Sequence, residues 1–331
     1  MAKPRLAFVG LGWIGAMRLE ALAGAGAAEI VALCDASPGR LESTARGQAG
    51  VACFQEVDEL LAKAGDLRLD GVVIATPNAF HFPQTVAALD RGLAVFCQKP
   101  LALDAGQARA MVDAARRADR RLGVDYSYRF TDGARCLRDA IASGALGRVY
   151  FLDTVFHNAY GPDKAWAHDP RLAGGGALMD LGVHLIDLAC WLLGDPPVAQ
   201  VRGGVFRQGE RLSGVGMDDF ASARIDLGQG DAVASLAVSW NAHAGRDCVI
   251  RAAVFGTAGG AEFRNVGGSF YDFELERFAG RTGEVVVRES RDWLGRAILD
   301  WARRLAEANR FDSEIERSVR VSEVVDAIYG R

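Results

Sequence analysis

Lysine is nearly absent from this 331-residue chain: Lys3, Lys63, Lys99 and Lys164 stand against thirty-four arginines. Arginine serves as the general surface cation, so a lysine kept inside an apolar stretch asks for a chemical reason. Positive charge is not in excess either. The net charge is −4, which argues against a chain built to hold nucleic acid or an anionic membrane. The six cysteines (Cys34, Cys53, Cys97, Cys136, Cys190 and Cys248) never stand in CxxC spacing. That removes zinc-ribbon and dithiol motifs and leaves free thiols, mostly buried, in a reducing compartment. No uninterrupted apolar run reaches about 18 residues. The opening MAKPRLAFVG has no apolar h-region and no small-residue cleavage site. Neither a transmembrane helix nor a signal peptide is expected, and the reading is a cytoplasmic protein. Internal repeats, low-complexity segments and long linkers are missing as well.

What is present is an ordinary globular composition, 50% hydrophobic and 24% charged. The length suits two domains, and a core of that size needs no disulfide or metal staple. Short apolar runs at 5–9, 30–34, 71–75, 94–97 and 122–125 alternate with helix-length stretches at 13–23, 57–64, 82–91 and 105–119. Apolar strands separated by helices predict βαβ units and a parallel sheet covered on both faces. The texture changes after Tyr126. A helix at 133–143, a strand at 149–156 and a long helix at 177–193 are followed, from 198 to 287, by repeated strands with glycine turns. Stretches 221–227 and 232–239 alternate polar and apolar residues, which predicts an antiparallel sheet. Residues 293–308 and 313–328 read as helices.

Gly10-Leu11-Gly12-Trp13-Ile14-Gly15 lies between the first strand and the first helix. Three glycines there allow the tight turn, the approach of a pyrophosphate and close packing of helix on strand, and the helix N-terminus offers free amides to phosphate. The second strand ends at Asp35, followed by Ala36. An acid at that place accepts from the ribose hydroxyls of adenosine and repels a 2′-phosphate, so NAD is favoured over NADP. Arg40 softens that preference. The competing reading is a glycine turn that serves packing alone. Two later strands end in Thr76, Pro77 and Asn78, with His81 beyond, and in Gln98, Lys99 and Pro100. In an open parallel sheet, ligands sit at such carboxyl ends, so both groups are expected beside the cofactor. Lys99 is the lysine that asks for a reason, against the plain reading of a solvated loop residue.

Asp180, His184 and Asp187 fall at i, i+4 and i+7 of the long helix, after Gly174-Gly175-Gly176. One helix face then carries all three, opposite an apolar face of Leu178, Leu181, Leu185, Leu188 and Leu192. A histidine between two carboxylates suits a tuned proton carrier. The glycine triplet is expected to let the backbone pass close to cofactor or substrate. Two other readings stay open: a metal site, although no second histidine stands at ligand spacing on that helix, and a buried, hydrogen-bonded core histidine.

These motifs, in this order, resemble the Gfo/Idh/MocA oxidoreductases. The resemblance continues through Tyr128-Arg129-Phe130, Ser143-Gly144-Ala145-Leu146-Gly147, Trp166 and Asp169-Pro170. It implies an α/β protein with an N-terminal Rossmann domain (1–125) and a C-terminal α/β domain (126–331) holding a large, mostly antiparallel sheet, with the last helices packing back on the first domain. It also implies an active site between the domains, with Lys99, Asp180 and His184 as catalytic residues. The activity it implies is a hydride exchange between NAD(P) and a secondary alcohol or ketone of a sugar, cyclitol or related polyol. His184 is the general base, Asp180 orients it and Lys99 steadies the reacting oxygen. Gln98 stands where the family usually has glutamate, which removes a negative charge beside Lys99. Substrate contacts are expected from Tyr126, Arg129, His157, Asn158, Tyr160, Trp166 and His168, with Arg129 equally suited to bracing the fold. No metal is expected, and a homodimer or homotetramer through the C-terminal sheet is. Two other activities share the motifs: an NAD-dependent glycosidase working by transient oxidation, and a nucleotide-binding sensor without chemistry.

Overall fold

The structure is a computed structural model that describes residues 2–48, 50–289 and 291–331. The chain divides into two compact units, residues 1–125 with 295–319 and residues 126–294 with 320–331.

The first unit is built on six strands: β1 (Arg5–Val9), β2 (Glu29–Cys34), β3 (Ala52–Phe54), β4 (Gly71–Ile74), β5 (Ala94–Cys97) and β6 (Leu122–Val124). All pair in parallel, in the order β3-β2-β1-β4-β5-β6. The central strands are buried on both faces, as in Leu6, Ala7, Phe8 and Val9, because helices cover each side. Strand order reverses between β1 and β4, and ligands bind at such a switch point. Helix Pro38–Ala45 and β3 carry too little apolar periodicity to be read from sequence. The helix buries only Leu41, and the strand is three residues at the sheet edge. Helix Arg296–Glu307 belongs to this unit. Its Trp301 ring lies 5.6 Å from that of Phe96. Gly71 and Gly123 leave the room it needs: a Cβ on Gly123 would stand 2.7 Å from Trp301 Cδ1.

The second unit holds nine strands: β7 (Val149–Asn158), β8 (Val198–Arg207), β9 (Glu210–Arg211), β10 (Phe220–Leu227), β11 (Ala232–Ser239), β12 (Cys248–Gly256), β13 (Gly260–Asn265), β14 (Phe273–Ala279) and β15 (Thr282–Arg288). Their order is β15-β14-β13-β12-β7-β11-β10-β8-β9. Only the β7–β11 pair is parallel among these described strands. Burial alternates along β7, β10 and β11. One sheet face packs inward, carrying Leu152, Thr154 and Phe156. The other is partly open and carries linked ion pairs: Asp153 with Arg251, and Arg264 with Glu262, Glu274 and Glu276.

The helix expected over 177–193 is not regular. A π-turn (Leu178–Gly182) leads into the α-helix Val183–Leu192. Stretch Pro170–Leu192 is long and apolar enough to cross a membrane by length and composition alone, and 89% of its most apolar window is buried inside the protein, as in a core helix.

Candidate active site

In the first unit, three glycines do three different things. Gly10 has φ +88°, and a Cβ there would meet Ala75 O at 2.4 Å. A Cβ on Gly15 would meet Gly10 O at 2.1 Å. Both are therefore demanded by the protein itself, which holds the loop after β1 against the end of β4. A Cβ on Gly12 would meet no protein atom within 4 Å. Gly12 is also the N-cap of helix Trp13–Gly24 and caps it with no side chain. An open approach to uncapped first-turn amides fits a dinucleotide pyrophosphate. Trp13 stands beside it, 55% exposed.

Asp35 directly follows β2 and is buried. Its carboxylate accepts from Leu11 N at 2.7 Å, Ser37 N at 2.8 Å and Arg40 Nη2 at 2.8 Å. Burial pushes this carboxyl up, but the Arg40 guanidinium and the amides of Leu11 and Ser37 outweigh it and hold it below the usual carboxylate range. Asp35 therefore braces the glycine loop from below. Arg40 and Ala36 are exposed beside it.

His81, expected beside the cofactor, is instead wholly buried. Its Nδ1 lies 2.7 Å from Pro100 O and its Nε2 2.9 Å from Thr76 O. The ring lies between the loop after β4 and the loop after β5; when neutral it donates to one of these two carbonyls, and it has no surface left for a ligand. Thr76 Oγ1 meets Gln84 Oε1 at 2.7 Å, and Asn78 is buried. Gln98 likewise turns inward: its Nε2 donates to Asp125 Oδ2 at 2.6 Å and its Oε1 accepts from Lys99 N at 3.2 Å. Pro77 and Lys99 keep partial exposure in these loops.

In the second unit, every residue from 173 to 192 is buried except two, Asp180 and His184. The helix that the sequence reads as two-faced is enclosed almost all round, and its solvent-reaching chemistry is this pair. Aromatic rings set the histidine's place. Tyr128 meets the imidazole edge-on with centroids 5.1 Å apart, and Phe156 lies 6.3 Å away. Trp293 stacks on Tyr128 at 5.4 Å.

The expectation of two carboxylates flanking the histidine is corrected. Asp187 is buried and forms a two-point ion pair with the Arg129 guanidinium, whose Nε donates at 2.7 Å. A bidentate pair of this kind is geometrically specific. Arg129 braces the fold rather than reaching out for substrate, and Tyr126 packs under its guanidinium at 5.5 Å. Asp180 takes a partner that sequence reading missed: Trp240 Nε1 donates to its Oδ2 at 3.2 Å. The available signal was a single tryptophan at the end of a strand of small residues, Ala232 to Ser239.

The glycine triplet is also reassigned. A Cβ on Gly175 would stand 2.1 Å from the Tyr329 hydroxyl, and one on Gly176 would stand 1.9 Å from Asp218 O. Asp218, fully buried, accepts from Gly176 N (2.9 Å), Leu178 N (2.8 Å) and Tyr329 Oη (2.7 Å). These glycines admit the protein's own backbone and its C-terminal tyrosine, not a ligand.

The loop after β7 divides. His168 lies edge-on to Trp240 at 5.9 Å, and Gly161 approaches the same indole. Tyr160 is exposed, with its ring 6.4 Å from Phe270, and Trp166 is partly exposed. Period-2 alternation puts Asn158 on the face of Phe156 and His157 on the opposite, open face. His157 there stacks over Phe220 at 6.5 Å. Its burial, and then Arg251, hold its pKa below the ordinary histidine value. The expectation that His157 faces the Asp180–His184 side is thus corrected. Burial pushes the thiols of Cys34, Cys97, Cys190 and Cys248 up to about 12, so none of them is a nucleophile. Among the described residues, no group of three His, Cys, Asp or Glu side chains is arranged to hold a metal.

Residues 4–126 match the family described as "Oxidoreductase family, NAD-binding Rossmann fold", and residues 134–262 match the "GFO/IDH/MocA C-terminal domain". The chain is similar to D-glucoside 3-dehydrogenase of Escherichia coli (strain K12), 32% identical over 54% of this chain and 51% of that protein. It spans only about half the length of that relative. A putative UDP-kanosamine synthase oxidoreductase subunit of Amycolatopsis mediterranei (strain S699) is 32% identical over 78% of this chain and 75% of that protein. The crystal structure of GenD2 from gentamicin A biosynthesis, in complex with NAD, superposes with a TM-score of 0.81 at 26% identity, over 100% of this chain and 94% of that one.

Proposed function

Because the chain belongs to the Gfo/Idh/MocA family of oxidoreductases, we propose that it oxidises a secondary alcohol of a sugar, cyclitol or related polyol with NAD and, in reverse, reduces the corresponding ketone with NADH. One observation carries this reading: along residues 173–192 the only two side chains left partly open are an aspartate and a histidine. A core helix gains nothing from keeping that pair open, and a proton-transfer site requires it.

Bound over Gly12, the cofactor supplies the hydride acceptor. The chain's own residues do the rest. His184 takes the hydroxyl proton during oxidation and returns it during reduction. Asp180, fixed by Trp240, orients the substrate hydroxyl and the imidazole. Lys99 hydrogen-bonds the reacting oxygen and steadies the charge that develops on it. NAD is preferred over NADP because Asp35 carries a negative charge where a 2′-phosphate would come, and Arg40 is already engaged by that carboxylate. Trp166, Tyr160 and His168 offer apolar and hydrogen-bonding surface suited to a polyhydroxylated ring. Names of similar proteins, D-glucoside 3-dehydrogenase among them, support the polyol class. Self-association through the open face of the β7–β15 sheet is part of the proposal, and light scattering checks it.

The test is NADH formation against a panel of monosaccharides, glycosides and inositols. Stoichiometric NADH with one of them is the expected result. His184→Ala should then abolish turnover and leave NAD affinity unchanged. Cleavage of a glycoside without net NADH would replace this reading with the glycosidase one. Equal loss of turnover and NAD affinity in His184→Ala would mark the histidine as structural.

A further inference from the structure

Inside the first unit, one carboxylate oxygen is shared by two donors. Arg18 Nε donates to Asp125 Oδ2 at 2.5 Å, and Gln98 Nε2 donates to the same oxygen at 2.6 Å. Arg18 and Asp125 are almost completely buried, with side chains 3% and 0% exposed. Each member comes from a different element. Arg18 sits on the helix opened by the glycine loop, Asp125 follows β6, and Gln98 follows β5. The main chain reinforces the arrangement: Asp125 N donates to Cys97 O at 3.0 Å and Gln98 N to Ile74 O at 2.9 Å. The other end of the Gln98 amide then accepts from Lys99 N at 3.2 Å. An unbroken run of hydrogen bonds therefore leads from the glycine-loop helix through Arg18, Asp125 and Gln98 to the backbone of Lys99.

We propose that Asp125 is a positioning residue for Lys99, acting through Gln98, and that the pair must hold its acid at 125 and its amide at 98. The chemistry explains the requirement. An ionised glutamate at 98 has no proton to give Asp125 and would set two carboxylates side by side in a buried place. An amide at both positions would remove the negative charge that the Arg18 guanidinium meets at Asp125. An acid at 125 and an amide at 98 satisfy Arg18, each other and the Lys99 amide; exchanging them cannot, because Arg18 and Gln98 meet the same Asp125 oxygen, and no single atom of an asparagine amide both accepts from a guanidinium and donates to a carboxylate. The inference rests on the reading of Lys99 as the group at the reacting oxygen, but its test observes the lysine itself and requires no substrate.

Four lysines in the whole chain make that observation simple. Reductive methylation with 13C-formaldehyde labels them and the amino terminus, and K99R assigns the Lys99 signal. Q98M, Q98E and D125N are compared with the unchanged protein at one pH, each with a melting curve. Q98M keeps the Arg18–Asp125 pair and loses only the bonds of the side-chain amide, so it is expected to fold and to displace the Lys99 methyl resonance. Q98E and D125N, where they fold, are expected to displace it as well and to melt earlier. A Lys99 resonance unmoved in Q98M while its melting temperature falls would overturn the proposal, because that is what a merely structural pair would give, and so would a Q98M variant that does not fold.

Discussion

Trp240 and Asp180, sixty residues apart in the chain, are joined by a hydrogen bond from the indole Nε1 to Oδ2 at 3.2 Å. The indole also carries the His168 ring against it, so one tryptophan links the carboxylate to the loop that follows β7. A donor on a carboxylate holds it in one rotamer.

Trp240→Phe keeps the ring and removes the donor. A hydrogen bond to a charged group contributes about 1.5–3 kcal/mol, and each 1.36 kcal/mol is about tenfold in rate. We expect kcat for polyol oxidation to fall about ten- to hundredfold with NAD affinity unchanged. Steady-state kinetics beside an NAD titration measure both, and an unaltered kcat sinks the assignment.

Gly12 and Gly176 should fail in opposite ways. Gly12→Ala places a methyl group in space the protein does not fill. The melting temperature should hold while NAD affinity drops about tenfold or more. Gly176→Ala places its methyl group 1.9 Å from the Asp218 carbonyl oxygen. Overpacking of this kind costs about 1–3 kcal/mol or more, so this variant should melt earlier. Calorimetry with and without NAD separates the two. If Gly12→Ala also melts early with NAD absent, its glycine serves packing after all.

Trp301 is 5% exposed and lies against Phe96 and the bare backbones of Gly71 and Gly123. Trp301→Ala should lose about 3–5 kcal/mol of stability, read by urea unfolding of the whole chain. A loss under 1 kcal/mol would mean that helix Arg296–Glu307 contributes little to the first unit.

His81 sets a pH dependence. Burial lowers its pKa, against the upward pull of the Pro100 and Thr76 carbonyls, and the Lys99 charge lowers it further. The unfolded chain therefore binds this proton at a higher pH than the folded one. Stability is full above the unfolded value of about 6.5 and falls as pH drops through it toward the depressed folded value. His157 shares the direction, so the readout is the difference between the protein and His81→Gln. The variant's melting temperature should decline less steeply between pH 7 and 5. Parallel curves would remove His81 from the acid response.

Much of the first unit is legible in sequence because its signals are local. The runs at 5–9 and 94–97 are strands at those same limits, since a fully covered strand must be continuously apolar. Helix Pro38–Ala45 was not legible, because one buried leucine gives no period. His157 and Asn158 show a signal that was available and unused: adjacent strand residues point to opposite faces, so both could not serve one site. Gly174-Gly175-Gly176 shows the reverse. A glycine run declares that something comes close without saying what, and here it is Asp218 and Tyr329.

The sequence alone determined the alternation of strands and helices, the glycine turn after the first strand, and the i, i+4 spacing of Asp180 and His184. Each depends on backbone geometry over a few residues. Tertiary structure decided which partner every polar group takes. Asp187 goes to Arg129, Asp180 to Trp240, His81 to two carbonyls and Asp125 to Arg18 and Gln98. A buried donor or acceptor must be satisfied by whatever the fold brings within about 3 Å, and most of those partners lie many residues away along the chain.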